Sequence, residues 1–185
     1  MSRCVLVVGF GPFGEVRENP ASALARAVDG YESHGIRLIG REIPVEYAAG
    51  PAQTVALVRE LQPVAVVGIG VATGRPAAQW ERWGRRRGDP RVSDNVALFL
   101  EDLEPGGPER VESTAPVNAL AAASNLGISD DAGGYVCNAW LYRSLRSLAP
   151  LPVAFLHIPA EGLPPSALLR SLVAVWGQAE KTTSS

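Results

Sequence analysis

The first part of the chain alternates between two patterns, CVLVVGF, ASALARAVDGY, IRLIGREIPV, GPAQTVALVREL and PVAVVGIGV. The first, third and fifth of these are near-continuous apolar runs, and the other two place their apolar residues on one face of a helix. A strand that is apolar on both sides must be buried on both, and a helix between two such strands supplies the crossover that a parallel pair requires. The chain is thereby confined to α/β folds in which helices cover both faces of a largely parallel sheet. The alternation resumes beyond residue 116 with VNALAAASNLG, GGYVC, AWLYRSLRSLA, PVAFLHI and SALLRSLVAVWGQAE. Residues 72–116 are rich in Arg, Gly, Pro and acids instead. They read as loops and short strands lying over the sheet, with RVSDNVALFL as a hairpin or edge element. At 185 residues the chain suffices for one full core but not for separate cofactor and substrate domains. One domain over 1–180 is expected, with residues 181–185, KTTSS, as a frayed tail.

The first apolar run leads into GFGPFGEVRENP, in which Gly9, Gly11 and Gly14 have the G-x-G-x-x-G spacing of a dinucleotide-binding loop. The residues between them argue for something else. Pro12 lacks the N–H that a phosphate cradle would aim at its anion. Asn19-Pro20 reads as an N-cap and a first-turn proline, so the helix starts too late to present its N-terminus to a pyrophosphate. Phe10 and Phe13 suit a small, uncharged, ring-shaped ligand. No nucleotide cofactor is expected.

Charge and composition exclude further classes. A formal net charge of −2 disfavours nucleic acid or an anionic membrane as partner, and the local run Arg82, Arg85, Arg86, Arg87 and Arg91 reads as a solvated loop face. No run approaches the length of a membrane helix, and the N-terminus carries no signal-peptide pattern, so the expected location is cytoplasmic. In that compartment Cys4 and Cys137 stay reduced. Two histidines, His34 and His157, without a Cys/His cluster make no zinc site of ordinary spacing.

In a doubly wound sheet, ligands sit beyond the carboxyl ends of the strands. Cys137 follows Gly133-Gly134-Tyr135-Val136 at what reads as a strand-to-helix turn, where a helix N-terminus would lower the thiol pKa. His157 closes the apolar strand PVAFLHI, whereas His34 lies in a polar connection at the opposite end of the sheet. A thiol nucleophile needs a base, and His157 is the one available. An acid to orient the imidazole is offered by Glu81, Asp89, Asp94 or Glu101, among which the sequence does not choose. Cys4, starting a buried strand without polar company, reads as core.

With these residues in view, GFGPFG followed by NPA, GVATGR followed by ER, RVSDN, GGYVCN and FLHIP resemble, in order, the motifs of the pyroglutamyl peptidase I family of cysteine peptidases. The likeness spans nearly the whole chain. It implies a three-layer α/β/α sandwich with a largely parallel, mixed central sheet. It also implies hydrolysis of the amide bond after an N-terminal pyroglutamyl residue, with Cys137 as nucleophile, His157 as base and Glu81 as orienting acid. Phe10, Phe13, Val71 and Val136 would line the lactam pocket, and the Cys137 backbone N–H, together with Arg91, would stabilise the oxyanion. Peptides with N-terminal pyroglutamate are the expected partners, self-association is left open, and no cofactor or metal is implied. Five departures from the family pattern bear on specificity. Val71 replaces a usual Gln, Glu15-Val16 follow the first loop where a glycine and a ring are usual, ERWGRRR lacks an Asn usual a few residues after the acid, Ser93 replaces a usual Pro, and IPAEGLPPSALL after His157 is shorter. Two rival readings remain: a thiol amidohydrolase shifted to another small ring or acyl group, and a binding protein of the same fold without turnover.

Overall fold

The computed structural model describes residues 3–14 and 16–178, so the expectation of a frayed tail at 181–185 lies outside the described residues. In chain order the elements are β1 (Arg3–Phe10), α1 (Pro20–Val28), β2 (Glu32–Ser33), β3 (Ile36–Ile43), α2 (Ala49–Leu61), β4 (Ala65–Val71), β5 (Gln79–Glu81), β6 (Trp83–Arg85), β7 (Arg110–Glu112), α3 (Val117–Ser124), β8 (Gly127–Ser129), α4 (Val136–Leu148), β9 (Val153–Ile158) and α5 (Pro165–Trp176). Seven strands form one mixed sheet in the order β2-β3-β1-β4-β9-β5-β8. The four long apolar strands β3, β1, β4 and β9 are mutually parallel at its centre. At the edges, β2 runs antiparallel to β3, and β5 runs antiparallel to β9 while pairing parallel with β8.

The sheet is buried on both faces because its strands are apolar on both. Val5, Val7, Val67, Ile69, Leu156 and Ile158 point to one side and pack with residues of α1, α3 and α5. Leu6, Val8, Val66, Phe155 and their neighbours point to the other side, against Trp140, Leu141 and Tyr142 of α4 and half-buried residues of α2. The result is a single-domain, three-layer α/β/α sandwich. Trp140 Nε1 donates to Thr54 Oγ1 at 2.8 Å and ties α4 to α2, which gives the buried indole N–H its partner.

The opening glycines have structural reasons. A Cβ on Gly9 would lie 2.2 Å from the Ala21 carbonyl oxygen, so only glycine lets α1 settle onto β1. Gly40 has the same relation to the carbonyl of Ala25. As the sequence predicts, Asn19 caps α1, its Oδ1 accepting from Ala21 N at 2.9 Å, and Pro20 opens the helix well past Gly14. The cap also fastens the glycine loop to the helix, Asn19 Nδ2 donating to the Gly11 carbonyl at 2.9 Å.

Three elements differ from the sequence expectation. GGYVC is not a strand: Gly133 takes φ +79° and the Asp131 carboxylate accepts from its N–H, so the chain turns there and α4 begins at Val136. RVSDNVALFL forms neither hairpin nor strand but a loop wound around Asp94. Its Oδ1 accepts from Val96 N and Leu98 N, and its Oδ2 from Tyr47 N. The segment Gln79–Glu81 does not lie over the sheet. It enters it as β5, because Trp80 is wholly buried in the core and its backbone pairs with β9 and β8. Three-residue strands are too short for apolar periodicity to reveal.

Candidate functional site

Strand order reverses between β1 and its neighbours β3 and β4, and a crevice opens beyond the carboxyl ends of these strands, where doubly wound sheets bind ligands. It holds a pocket of about 190 Å³. Phe10 and Phe13 come from the end of β1 and the loop after it, Val45 follows β3, and Val71 and Thr73 lie at the end of β4 and just beyond. Tyr135, Val136 and Cys137 close it from the start of α4, with Asn19 behind. Phe10, Phe13, Val71, Val136 and Cys137 are thus brought together. Asn19, Thr73 and Tyr135 lie within the sequence motifs, which assign them no place in the pocket, and Val45 lies in none; each belongs to a different connection, so only the fold brings them together.

Cys137 sits in the first turn of α4, 9% exposed. Gly70 of β4 is in register with His157 of β9, so the two residues face the same side of the sheet. A Cβ on Gly70 would stand 2.6 Å from Cys137 Sγ, which places the sulfur directly over Gly70 and beside the strand that carries His157. Behind the imidazole, His157 Nδ1–H donates to Glu81 Oε1 at 2.7 Å, a carboxylate being able only to accept. That bond leaves Nε2 as the basic nitrogen. Glu81 is wholly buried and His157 nearly so. Antiparallel β5 sets Glu81 opposite Phe155, one step along the same face from His157, and this explains why the acid is remote in sequence yet adjacent in space.

Arg75, which the sequence reading passed over, donates from Nη1 to the same Glu81 Oε1 at 2.5 Å and from Nη2 to the Asp131 carbonyl. Burial alone would raise the Glu81 carboxyl, but hydrogen bonding and charge from His157, with help from Ser129 across the β5–β8 pair and from Arg75, hold it below the usual carboxylate range. Of the other acids, Asp89 is gripped by Arg91 and drawn down to about 2, Asp94 organises its own loop, and Glu101 is exposed. None of these carboxylates bonds to His157.

The thiol behaves differently from the sequence expectation. Burial, with the Glu81 carboxylate adding to it, pushes Cys137 up to about 12; Arg75 and the backbone N–H at the helix start only partly offset this. Desolvation outweighs the helix terminus because the sulfur is enclosed between α4 and the sheet. At neutral pH the resting group is Sγ–H, and the thiolate forms only as a base takes the proton. Arg91 is not brought to the sulfur. Its side chain is 85% exposed and forked onto Asp89, with Nε and Nη2 donating at 2.8 Å each.

The start of α4 is braced from two directions. Buried Asn138 accepts from Arg85 N and donates to the carbonyls of Arg85 and Arg87, clamping β6 and the chain after it against the helix. Tyr135 packs edge-on against Tyr47 and donates its hydroxyl to the Ser93 carbonyl, while Asn95 Nδ2 donates to the Pro12 carbonyl. The Asp94 loop thereby ties the α4 side of the pocket to the phenylalanine loop.

A thiol over one strand, an imidazole on the next and a carboxylate behind it, set in an α/β/α sandwich, have the geometry of a cysteine hydrolase that works through a covalent intermediate. Comparison with known proteins gives the family. Residues 3–171 match the pyroglutamyl peptidase family, to which the chain belongs as a cysteine peptidase. It is 37% identical over 175 residues to the pyrrolidone-carboxylate peptidase of Deinococcus radiodurans, covering 84% of this chain and 78% of that protein. It is 32% identical over 166 residues to the corresponding enzyme of Pyrococcus furiosus, covering 84% and 80%. The solved structure of a mutant pyrrolidone carboxyl peptidase from Pyrococcus furiosus superposes with a TM-score of 0.83 at 26% identity, over 93% of this chain and 97% of that one. Among the described residues no helix is long and apolar enough to cross a membrane, and no group of three His, Cys, Asp or Glu side chains could hold a metal ion.

Proposed function

We propose that this chain hydrolyses the amide bond that follows an N-terminal pyroglutamyl residue, with Cys137 as nucleophile, His157 as base and acid, and Glu81 as the group that orients the imidazole. The observation that carries the reading is the buried His157–Glu81 bond set beside a sulfur that lies at the edge of a ring-sized apolar pocket. A lactam ring carries no charge, and the pocket presents none: Phe10, Phe13, Val45, Val71 and Val136 offer apolar walls. Asn19 spends its side chain on the carbonyl of Gly11 and the N–H of Ala21, so Thr73 is the pocket's uncommitted side-chain hydroxyl.

In the reaction, His157 Nε2 takes the Sγ proton as sulfur attacks the scissile carbonyl, so no free thiolate need accumulate. Glu81 stabilises the imidazolium that results and keeps its tautomer. Charge developing on the carbonyl oxygen is met by the free backbone N–H groups at the start of α4. His157 then protonates the departing amine, and the acyl group remains on Cys137. Neutral again, His157 deprotonates a water whose oxygen attacks the thioester carbonyl; the C–S bond breaks, pyroglutamate leaves, and the imidazolium returns its proton to the sulfur. A panel of pyroglutamyl, alanyl and prolyl fluorogenic amides tests the assignment: turnover of the first alone is expected, and turnover confined to alanyl or prolyl amides would refute it. No target in a particular cell compartment is needed for this chemistry, and an assay on purified protein suffices.

A further inference from the structure

The pocket accounts for the residue before the scissile bond, but the peptide after it must also lie against the protein. Three further depressions share residues with the pocket: one on the side of the Asp94 loop, through Phe13 and Tyr135, and two on the side of the strand that carries His157. Thr73 lies on the wall of both the pocket and a trough bordered by Gly74, Arg75, Pro76, Pro159 and Glu161. Glu161 in turn borders a groove of about 530 Å³ between the segment after β9 and the first turns of α1, where Glu18 faces it. Pro159, two residues after His157, borders this trough, so the end of the strand that carries the catalytic imidazole runs into it. The trough and the groove together make a continuous path from the pocket past Thr73 and Arg75 toward Glu161.

The charge along that path is one-sided. The cation in the trough, Arg75, is already committed to Glu81 and to the Asp131 carbonyl. Glu161 and Glu18 are exposed and take part in no ion pair among the described residues. The glutamate at 161 is carried by the short segment after His157, where Gly162 takes φ +88° and turns the chain back beside Pro20.

On the reading of the site given above, we infer that this trough and groove form the leaving-peptide subsite and that Glu161, seconded by Glu18, selects peptides with Lys or Arg shortly after the pyroglutamyl residue. Both carboxylates are solvated, so the effect is a preference of about twofold to fivefold and not an absolute requirement. It should fade in about 1 M salt, where the Debye length is about 3 Å.

The test compares kcat/KM for otherwise identical pyroglutamyl peptides bearing Lys or Glu at the second or third position, with the amidomethylcoumarin of pyroglutamate as a substrate that has no peptide to place. The readout is the Lys-to-Glu ratio. It is expected to exceed about two in the native protein at low salt, to fall toward one in Glu161→Gln, and to invert in Glu161→Lys. Glu18→Gln should lower it by a smaller factor. A ratio near one in the native protein, or one that Glu161→Lys leaves intact while the melting profile is unchanged, overturns the subsite. Failure to hydrolyse the coumarin amide would instead overturn the underlying peptidase reading and the subsite with it, so the two failures are distinguishable.

Discussion

Cys137 and Cys4 show how little residue type says without position. Both are thiols near a strand, yet one sulfur stands over Gly70 at the pocket edge and the other donates to the Leu61 carbonyl in a packed strand end. Cys137→Ala is therefore expected to lower kcat by more than about 1,000-fold, whereas Cys4→Ser leaves it nearly unchanged, as a fluorogenic assay would show. His157→Ala should cost about as much as Cys137→Ala. Glu81→Gln should cost less, since an amide retains part of the hydrogen bonding but not the charge that stabilises the imidazolium. Gly70 opens the GVATGR segment but carries no side chain to suggest a role. Its Ala variant would press a methyl to 2.6 Å from Sγ and 2.8 Å from Phe155 Cζ, and a displacement of that order should lower kcat about 100-fold. An unchanged kcat in a folded Gly70→Ala protein would mean that the sulfur is not held where catalysis needs it.

The elements that matter most are α4 and the loop around Asp94, because between them they set the entrance to the pocket. Asn138 makes three hydrogen bonds from a fully buried position. Asn138→Ala strands the Arg85 N–H and two carbonyls and should destabilise the fold by about 2–4 kcal/mol in urea unfolding. The Asp94 loop is a different case: the buried carboxylate accepts from buried Tyr47 N as well as from the exposed Val96 and Leu98, and its role is positioning. Asp94→Asn keeps the shape but turns one acceptor oxygen into a donor facing Tyr47 N–H. Its signature should be a raised KM for pyroglutamyl amides with kcat largely retained, because the loop braces Tyr135 and Pro12 but touches neither His157 nor Glu81. A large loss of kcat at unchanged KM would place Asp94 in the chemistry instead.

For the whole molecule, the buried groups dictate how stability responds to pH. Cys137 and Tyr47 are each raised to about 12, Cys137 by burial and then by the Glu81 carboxylate, Tyr47 by burial and then by Tyr135 and Asp94. In both cases the native state keeps a proton that the unfolded chain releases earlier. Their contribution is thus fully present below about pH 9 and is lost as the pH climbs toward about 12. Glu81 has the opposite sign, its lowered carboxyl stabilising the fold above the ordinary carboxylate range and ceasing to do so as the pH falls through the lowered value. Urea unfolding measured across the alkaline range should show a shallower decline for Cys137→Ala than for the native protein. Identical slopes would show that the thiol is not buried in its neutral form.

Apolar continuity and helical periodicity were sufficient to determine the four central strands, their crossover helices and the burial of both sheet faces, because a strand such as VLVV has no other stable environment. The Asn19 cap and the turn before Cys137 were legible for a similar reason, since each depends on residues adjacent in the chain, and His157 was legible as base because His34 lies in a polar connection. Glu81 was not selected among four acids by its own neighbours. Its place follows from β5 lying antiparallel to β9, a pairing made by three residues and decided by where Trp80 could be buried. Arg75, the solvent exposure of Arg91 and the enclosed thiol belong to the same category. Each depends on which distant segments meet, and desolvation, the quantity that overrides the helix terminus at Cys137, does not exist until the chain has closed around the sulfur.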